Sequence, residues 1–107
     1  MQFEKFKEQI KAVDFESVRA DAEDYFEAVV NNSRMTDLSS CLEKLLGRPA
    51  LPSDDPLSDP AKDIITEFGG IRQGQTFYFL NEGGNSIFVM LWPWSDGEHT
   101  TLKSGLK

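Results

Sequence analysis

Two runs of strand-forming residues, separated by a glycine turn, constrain the fold of this chain more than any other feature. The segment from Thr76 to Trp94 holds six of the twelve aromatic residues. Its runs at 77–80 and 87–92 are apolar at consecutive positions, and residues 82–85 (Glu-Gly-Gly-Asn) join them, so the segment predicts a β-hairpin. Because side chains alternate between the two faces of a strand, both faces of this hairpin are apolar. Both faces therefore need a cover, supplied by this chain's helices, by a partner or by a second copy.

Helical spacing dominates the sequence before the hairpin. Apolar residues recur there at three- and four-residue steps, which predicts four amphipathic helices at residues 2–13, 15–31, 37–46 and 60–68. Thr36 is expected to cap the third helix and Gly47 to end it. Asp59 is expected to cap the fourth, with Pro60 in its first turn. The intervening residues, 48–60, contain four prolines and predict an extended loop.

A third antiparallel strand is expected after the tight-turn sequence at residues 95–98 (Ser-Asp-Gly-Glu). The predicted β-meander comprises strands at 75–81, 86–93 and 98–105. In its last strand, Thr100, Leu102 and Ser104 should share one face. Helices followed by an antiparallel meander define an α+β fold class. The length fits one domain, residues 1–107.

The net charge of −7 argues against nucleic-acid and membrane partners. Residues 1–68 carry 15 acidic and 8 basic residues, whereas residues 69–107 carry 3 of each. Such an acidic surface repels phosphate groups, so we expect neither nucleic acid nor an anionic membrane as partner. The longest apolar run has six residues, far below the roughly 18 that suggest a transmembrane helix. The first residues do not suggest an export signal and Cys41 is the lone cysteine, so a cytoplasmic location is expected.

The sequence predicts no catalytic pair of cysteine and histidine. Cys41 falls on the apolar face of the third predicted helix, which is typical of a buried thiol. His99, the lone histidine, follows a predicted turn and is expected to be exposed at a strand edge. One histidine and one cysteine cannot complete a zinc site without carboxylates. An enzyme is therefore the less favoured class, and we predict no catalytic residue, metal or cofactor.

Other polar and glycine-rich patterns have structural explanations. Four acids near the fourth helix lack the spacing of a calcium loop and are expected to cap or to face water: Asp54, Asp55, Asp59 and Asp63. The glycine pairs at 69–70 and 83–84 fit turns and do not open a helix after a strand, as a phosphate loop would. Glu23 and Glu27 are expected on the water-facing side of the second predicted helix.

The motif Trp92-Pro93-Trp94 is the least ordinary local feature, because its proline must lie at a strand end or edge. Trp92 is expected in the core, whereas Trp94 fits either a core or a binding role. The favoured hypothesis is a non-catalytic protein-binding or regulatory module that docks a protein partner or self-associates as a homodimer. Its candidate interaction surface comprises Phe77, Phe79, Phe88, Met90, Trp92 and Trp94.

Two other functions stay open. One is a small-molecule-binding domain with a pocket between helices and sheet, in which polar contacts come from Tyr78, Arg72, Gln75 or His99. The other is an acidic inhibitor or immunity-type protein that covers a basic active site through residues 14–27 and 54–67.

Overall fold

The computed structural model describes residues 2–53, 56–82 and 84–107. Asp54, Asp55 and Gly83 lie outside these ranges. The elements in chain order are α1 (Phe3–Ile10), β1 (Ser17–Asp21), β2 (Tyr25–Asn31), a 3₁₀ turn (Asn32–Arg34), α2 (Met35–Leu46), α3 (Asp59–Glu67), β3 (Thr76–Glu82), β4 (Asn85–Pro93) and β5 (His99–Leu106). The longest helix, α2, has 12 residues, and within the described ranges no helix combines the length and apolarity needed to cross a bilayer.

All five strands form one antiparallel sheet in the order β1-β2-β5-β4-β3. The predicted α+β class is confirmed, but the prediction of four helices on a three-stranded meander is wrong. The meander itself is present as β3, β4 and β5, and each end lies within one residue of its expected position. As expected, Thr100, Leu102 and Ser104 share a face, since they pair with Pro93, Leu91 and Val89 of β4.

The predicted helix at 15–31 is in fact the hairpin of β1 and β2. Its turn is closed by a hydrogen bond from the Ala22 N–H to the Tyr25 carbonyl, 2.8 Å long. The apolar residues of this segment fit a helical stripe, yet those of β2 also fit a period of two. Phe26, Ala28 and Val30 are fully buried on one face of the sheet. Aromatic and β-branched residues pack well on a sheet, so tertiary burial decides between the two periods.

Two predicted helix caps are replaced by neighbouring residues. The 3₁₀ turn leads directly into α2, so the helix begins at Met35 and Thr36 lies inside it, whereas Asn31 caps the 3₁₀ turn by accepting from the Ser33 N–H. At α3, the side chain of Ser58 accepts from the Ala61 N–H, a role expected of Asp59. A serine hydroxyl is an equally good cap, and sequence alone cannot choose between adjacent candidates.

The first face of the sheet is covered by α1 and α2. Phe6 and Ile10 of α1 and Leu38 and Leu42 of α2 are fully buried against it. The sheet residues of this core come from β2, β3, β4 and β5: Phe26, Ala28, Val30, Tyr78, Ile87, Val89, Leu91 and Leu102. This is the main core of the molecule.

A buried lysine fastens α1 to the turn between β1 and β2. Lys7 is only 4% exposed, and its Nζ donates to Asp21 Oδ1 (2.9 Å) and to the Ala22 carbonyl (2.7 Å) and lies 3.1 Å from Glu4 Oε1. Asp21 also pairs with Lys11 at 2.7 Å. The hydrogen bond with Asp21 raises the pKa of Lys7, and the bonds from Lys11 and Lys7 lower the pKa of Asp21. A buried charge with these partners is satisfied, so this ion pair positions the hairpin against α1.

The second face is covered by α3 over β3 and β4, and Phe68, directly after α3, stacks on Tyr25 of β2 with 6.5 Å between ring centres. Ala61 and Ile64 of α3 pack on Phe77, Phe88 and Met90. The rim of this smaller core is formed by half-buried residues of the loops and strands: Ala50, Leu51, Leu57, Ile65, Phe68, Ile71, Phe79 and Trp92. The hairpin that is apolar on both faces therefore lies between two layers supplied by its own chain.

Candidate functional site

The six residues of the predicted interaction surface occupy three different environments. Phe77, Phe88 and Met90 are at most 1% exposed in the second core, beneath α3. Phe79 and Trp92 are half-buried at the rim of this core. Trp94 is 37% exposed. Within one subunit, a partner could reach this set mainly at Trp94.

Beside the second core, the same sheet face continues over β1, β2, β5 and the end of β4. Among the described residues, the buried side chains of α3 pack on β3 and β4. This half of the face carries long polar and aromatic side chains instead, with Phe68 against Tyr25 at its edge. We call it the open platform and define it by Arg19, Tyr25, Glu27, Trp92, Trp94, His99 and Lys103.

Each tryptophan of the open platform carries a cation on its ring. The Lys103 Nζ lies 3.9 Å from the ring centre of Trp92, and the Arg19 guanidinium carbon lies 5.5 Å from that of Trp94. The Trp94 indole Nε1 donates to Thr101 Oγ1 at 2.8 Å, so the ring lies against the sheet. Thr101 is itself only 7% exposed. These contacts shield the small sheet residues and leave one side of Trp94 open to solvent.

His99 lies next to Trp94 and between two carboxylates. The ring centres of His99 and Trp94 are 4.9 Å apart. His99 Nδ1 is 2.6 Å from Asp96 Oδ2, and Nε2 is 2.6 Å from Glu16 Oε2. The other oxygen of Asp96 accepts from the Glu98 and His99 N–H groups at 2.8 and 3.1 Å. The histidine thus joins the turn between β4 and β5 to the segment that leads into β1.

The protonation state of this cluster follows from its distances. A neutral imidazole has one N–H donor, so it can donate to one carboxylate only, and its second nitrogen would face the other carboxylate lone pair to lone pair. Donation at both nitrogens needs the doubly protonated ring. Accordingly, the hydrogen bond to Asp96 and the charge of Glu16 raise the pKa of His99, and the Glu98 N–H and His99 lower the pKa of Asp96.

The same residues could be considered for a metal ion, because Asp96, Glu98 and His99 bring one ligand-type atom each within 4.8 Å of one another. Zinc ligands at 2.0–2.2 Å in tetrahedral geometry stand about 3.3 Å apart. The Nδ1 to Oδ2 separation of 2.6 Å is shorter and fits a shared proton. We therefore describe the cluster as an ion-paired histidine.

Cys41 and His99 are not brought together. Cys41 lies on α2 over the first face of the sheet, where its Sγ is 3.8 Å from the Gln9 carbonyl, and His99 lies on the second face. Burial raises the pKa of the Cys41 thiol, which disfavours the thiolate needed for nucleophilic attack. The position of this cysteine against the first core agrees with the packing role expected from the sequence.

The remaining polar and glycine patterns are dispersed. Asp59 and Asp63 are exposed on α3, and the other two acids of that group lie outside the described residues. Glu23 lies in the turn after β1 and Glu27 on β2, so the predicted helical spacing of these two acids does not exist. Gly69 and Gly70 follow α3 with positive φ angles of 86° and 95°, a conformation that glycine adopts without strain.

Two of the residues expected to line a ligand pocket do meet. Arg72 and Gln75 lie with Trp92 around an open cleft of about 360 Å³ beyond the end of α3. The indole Nε1 of Trp92 is buried and has no hydrogen-bond partner in the part of the chain that the structure describes. Tyr78 is buried in the first core, on the opposite face of the sheet, and therefore lies away from this cleft.

Several acids of the predicted inhibitor surface are paired within the chain. In residues 14–27, Asp14 lies 4.0 Å from Arg34, Glu16 pairs with His99, and Asp21 pairs with two lysines. In residues 54–67, Glu67 pairs with Lys107 at 2.6 Å. This pairing lowers the negative potential that these segments offer to a basic partner.

The sequence does not indicate that Arg19 belongs to the open platform or that Glu16 pairs with His99, because its helical spacing predicts a helix over 15–31. Only the sequence Asp96-Gly97-Glu98-His99 held a local signal, since an aspartate three residues before a histidine can bond it across a tight turn.

Comparisons of the chain with protein-family models, with curated proteins and with solved structures found no significant match. The function must therefore be argued from the open platform itself.

Proposed function

We propose that this protein is a non-catalytic binding module that docks a different protein on the open platform, with Trp94 as the central contact. The single observation that supports this most is the exposed Trp94 ring on the open platform, beside the part of the face on which α3 packs. Tryptophan, tyrosine and arginine are the residues most enriched in binding hot spots, and the open platform holds all three types.

The composition of the open platform favours a protein partner over a second copy of this chain. Obligate homodimer interfaces are large and more apolar than ordinary surface. Among the residues that the structure describes, the exposed large apolar side chains are Trp94, on the open platform, and Val18, which is 54% exposed and lies outside it. Around Trp94 stand charged residues of both signs, such as Arg19, Glu27 and Lys103, which resemble the polar rim of a transient interface. The three large residues that would have supplied an apolar dimer surface lie in the second core.

The test compares Trp94→Ala with Val18→Ala, which removes the other exposed apolar side chain. Both variants, together with the unchanged protein, are used to capture partners from the source cell, and each captured protein is then measured singly for its dissociation constant. We expect Trp94→Ala to weaken binding by about tenfold or more, since truncating a hot-spot residue costs at least roughly 2 kcal/mol. Val18→Ala should leave the dissociation constant nearly unchanged.

Two results would contradict this proposal. Equal retention of every captured protein by all three forms would remove Trp94 from the interface. Light scattering that reports a dimer for the unchanged protein and a monomer for Trp94→Ala would assign the surface to a second copy.

The cleft beside Trp92 favours a second candidate function, the binding of a small molecule. A ligand that brings a carboxylate group would find a charge partner in Arg72, beside the ring of Trp92 and the side chain of Gln75. A thermal-shift screen of small carboxylates should then raise the melting temperature, and Arg72→Gln should abolish the shift. A screen without any shift would count against this function.

A further inference from the structure

The position of His99 gives the open platform a means of regulation. Its ring contacts Trp94 on one side and is held at both nitrogens by carboxylates from separate parts of the chain. Asp96 belongs to the turn between β4 and β5, whereas Glu16 precedes β1 by one residue. The side chain of His99 is 20% exposed, so protons exchange with solvent while much of the ring stays packed.

We propose that His99 is a proton-operated latch, which in its doubly protonated form ties Asp96 to Glu16 and so fixes Trp94 on the open platform. When the ring loses one proton, one of the two hydrogen bonds is replaced by a repulsive contact between two lone pairs. The Glu16 or Asp96 side chain then releases the imidazole, while the backbone bonds of both segments stay in place. Trp94, whose Nε1 remains bonded to Thr101, loses its packing against a fixed His99 ring. The consequence for partner binding, which should weaken on deprotonation, rests on the function proposed above.

The charges around the ring support this direction of control. Asp96 and Glu16 face its two nitrogens, and Glu98 lies within the same cluster. On β1, the nearest cation of the open platform, Arg19, lies over Trp94. On β2, the residue opposite His99 is the neutral Asn31. Negative groups thus predominate around His99 and favour its charged form.

The latch has a defined pH window. The pKa of His99 is raised, so the stabilisation from its charged form is complete below the ordinary histidine value and is lost as pH rises through the raised pKa. The pKa of Asp96 is lowered, so its contribution is present above the ordinary aspartate value and is lost as pH falls through the lowered pKa. The latch is therefore closed between the lowered pKa of Asp96 and the raised pKa of His99. It opens when the pH rises above the pKa of His99.

The experiment uses the isolated, chelator-treated protein and needs no partner. Because the chain has one histidine, its ring Hε1 signal in ¹H NMR reports His99 without ambiguity. The indole N–H signal of Trp94, assigned by its loss in Trp94→Phe, reports the platform. We expect the His99 midpoint to lie above that of a free histidine, and the Trp94 signal to shift with the same midpoint.

Three variants make the test specific. Glu16→Gln removes one charge, and Asp96→Asn removes the other while its Oδ1 still accepts from the Glu98 and His99 N–H groups. Both should lower the midpoint of His99. Glu98→Gln is the matched control, because within the described ranges no hydrogen bond joins the neighbouring Glu98 carboxylate to either ring nitrogen, and it should change the midpoint least.

The latch is overturned by a midpoint equal to that of free histidine, by a midpoint insensitive to both Glu16→Gln and Asp96→Asn, or by a Trp94 signal that ignores the titration. If stoichiometric zinc moves the midpoint of the His99 signal, the cluster binds a metal ion in place of the proton, and the latch is equally overturned. These failures differ from failure of the proposed function. If the titration behaves as expected while Trp94→Ala keeps every partner, the latch holds and the docking proposal falls.

Discussion

The second face of the sheet is built in two ways on its two halves. Over β3 and β4, large apolar rings and Met90 point outward and are buried by α3. Over β1, β2 and β5, the small residues Val29 and Thr101 are also buried, and Thr101 lies under the indole of Trp94, which donates to it. A sheet face therefore does not always need a second layer of helix. Amphipathic side chains that lie flat on the sheet can exclude water from small sheet residues, and they still leave polar and aromatic groups accessible.

The largest expected difference between the halves is in the free energy of unfolding. Phe88→Ala should cost about 3–5 kcal/mol, because it empties the second core next to Phe68, whose ring centre is 5.1 Å away. Trp94→Ala should cost less, about 1–2 kcal/mol, since it removes the hydrogen bond to Thr101 and a ring that is already partly exposed. Urea denaturation of both variants checks this. A loss for Trp94→Ala as large as that for Phe88→Ala would mean that the open platform is a structural layer and no docking surface.

A second prediction concerns the boundary between the halves, at Gly105. A Cβ at this position would stand 2.7 Å from two ring atoms of Phe88. Gly105→Ala should therefore destabilise the protein by about 1–3 kcal/mol through overpacking. In a Phe88→Leu background the clash is removed, so the same substitution should cost markedly less, as a double-mutant cycle would report. Equal costs in both backgrounds would show that the ring is not the obstacle.

A smaller effect is expected at Thr101 on the open half. Thr101→Val keeps the shape of the side chain and removes the acceptor for the Trp94 Nε1, so it should cost about 0.5–1.5 kcal/mol. In a Trp94→Phe background, which has no indole donor, the substitution should be nearly neutral. Denaturation curves of the four proteins give the coupling directly. Lack of coupling would contradict the flat placement of the Trp94 ring.

The smallest effect is the pH dependence of stability contributed by His99. The difference in unfolding free energy between the unchanged protein and His99→Gln should be largest in mildly acidic solution. It should shrink as pH rises through the raised pKa of His99, and again as pH falls through the lowered pKa of Asp96. A difference that grows as pH rises from mildly acidic solution through the raised pKa of His99 would contradict the sign of this linkage. The covered half offers the control, because the cost of Phe88→Ala should not follow this profile.

Much of the covered half can be predicted from the sequence. The runs around Phe77 and Phe88 predict strands whose ends are correct to within one residue, because turn residues bound them on both sides. A run that is apolar on both faces also fits a sheet that is buried on both faces. The sequence does not predict which helix covers which face of the sheet. Ala61 and Ile64 predicted a buried helix face, but they do not specify which face of which sheet receives it.

Most of the open half could not be predicted from the sequence, because this half depends on the hairpin of β1 and β2. Its apolar residues satisfy a helical period as well as that of a strand, and only the burial of Phe26, Ala28 and Val30 beneath α1 and α2 decides the outcome. In the His99 cluster the ring joins Glu16 to Asp96, which lie 80 positions apart in the sequence. Contacts at that separation have no local signal, so chemistry of this kind emerges only with the tertiary structure.

The place of β5 in the sheet has a consequence for how the molecule is made on the ribosome. Of the five strands in this sheet it is synthesised last, yet it lies in the middle and pairs with β2 on one side and β4 on the other. Until β5 has left the ribosome, the polypeptide can form the hairpin of β1 and β2 and that of β3 and β4. No backbone hydrogen bonds then join the two hairpins, because β2 and β4 both lack their partner strand. Completion of the sheet is therefore expected to be a late, single closing event.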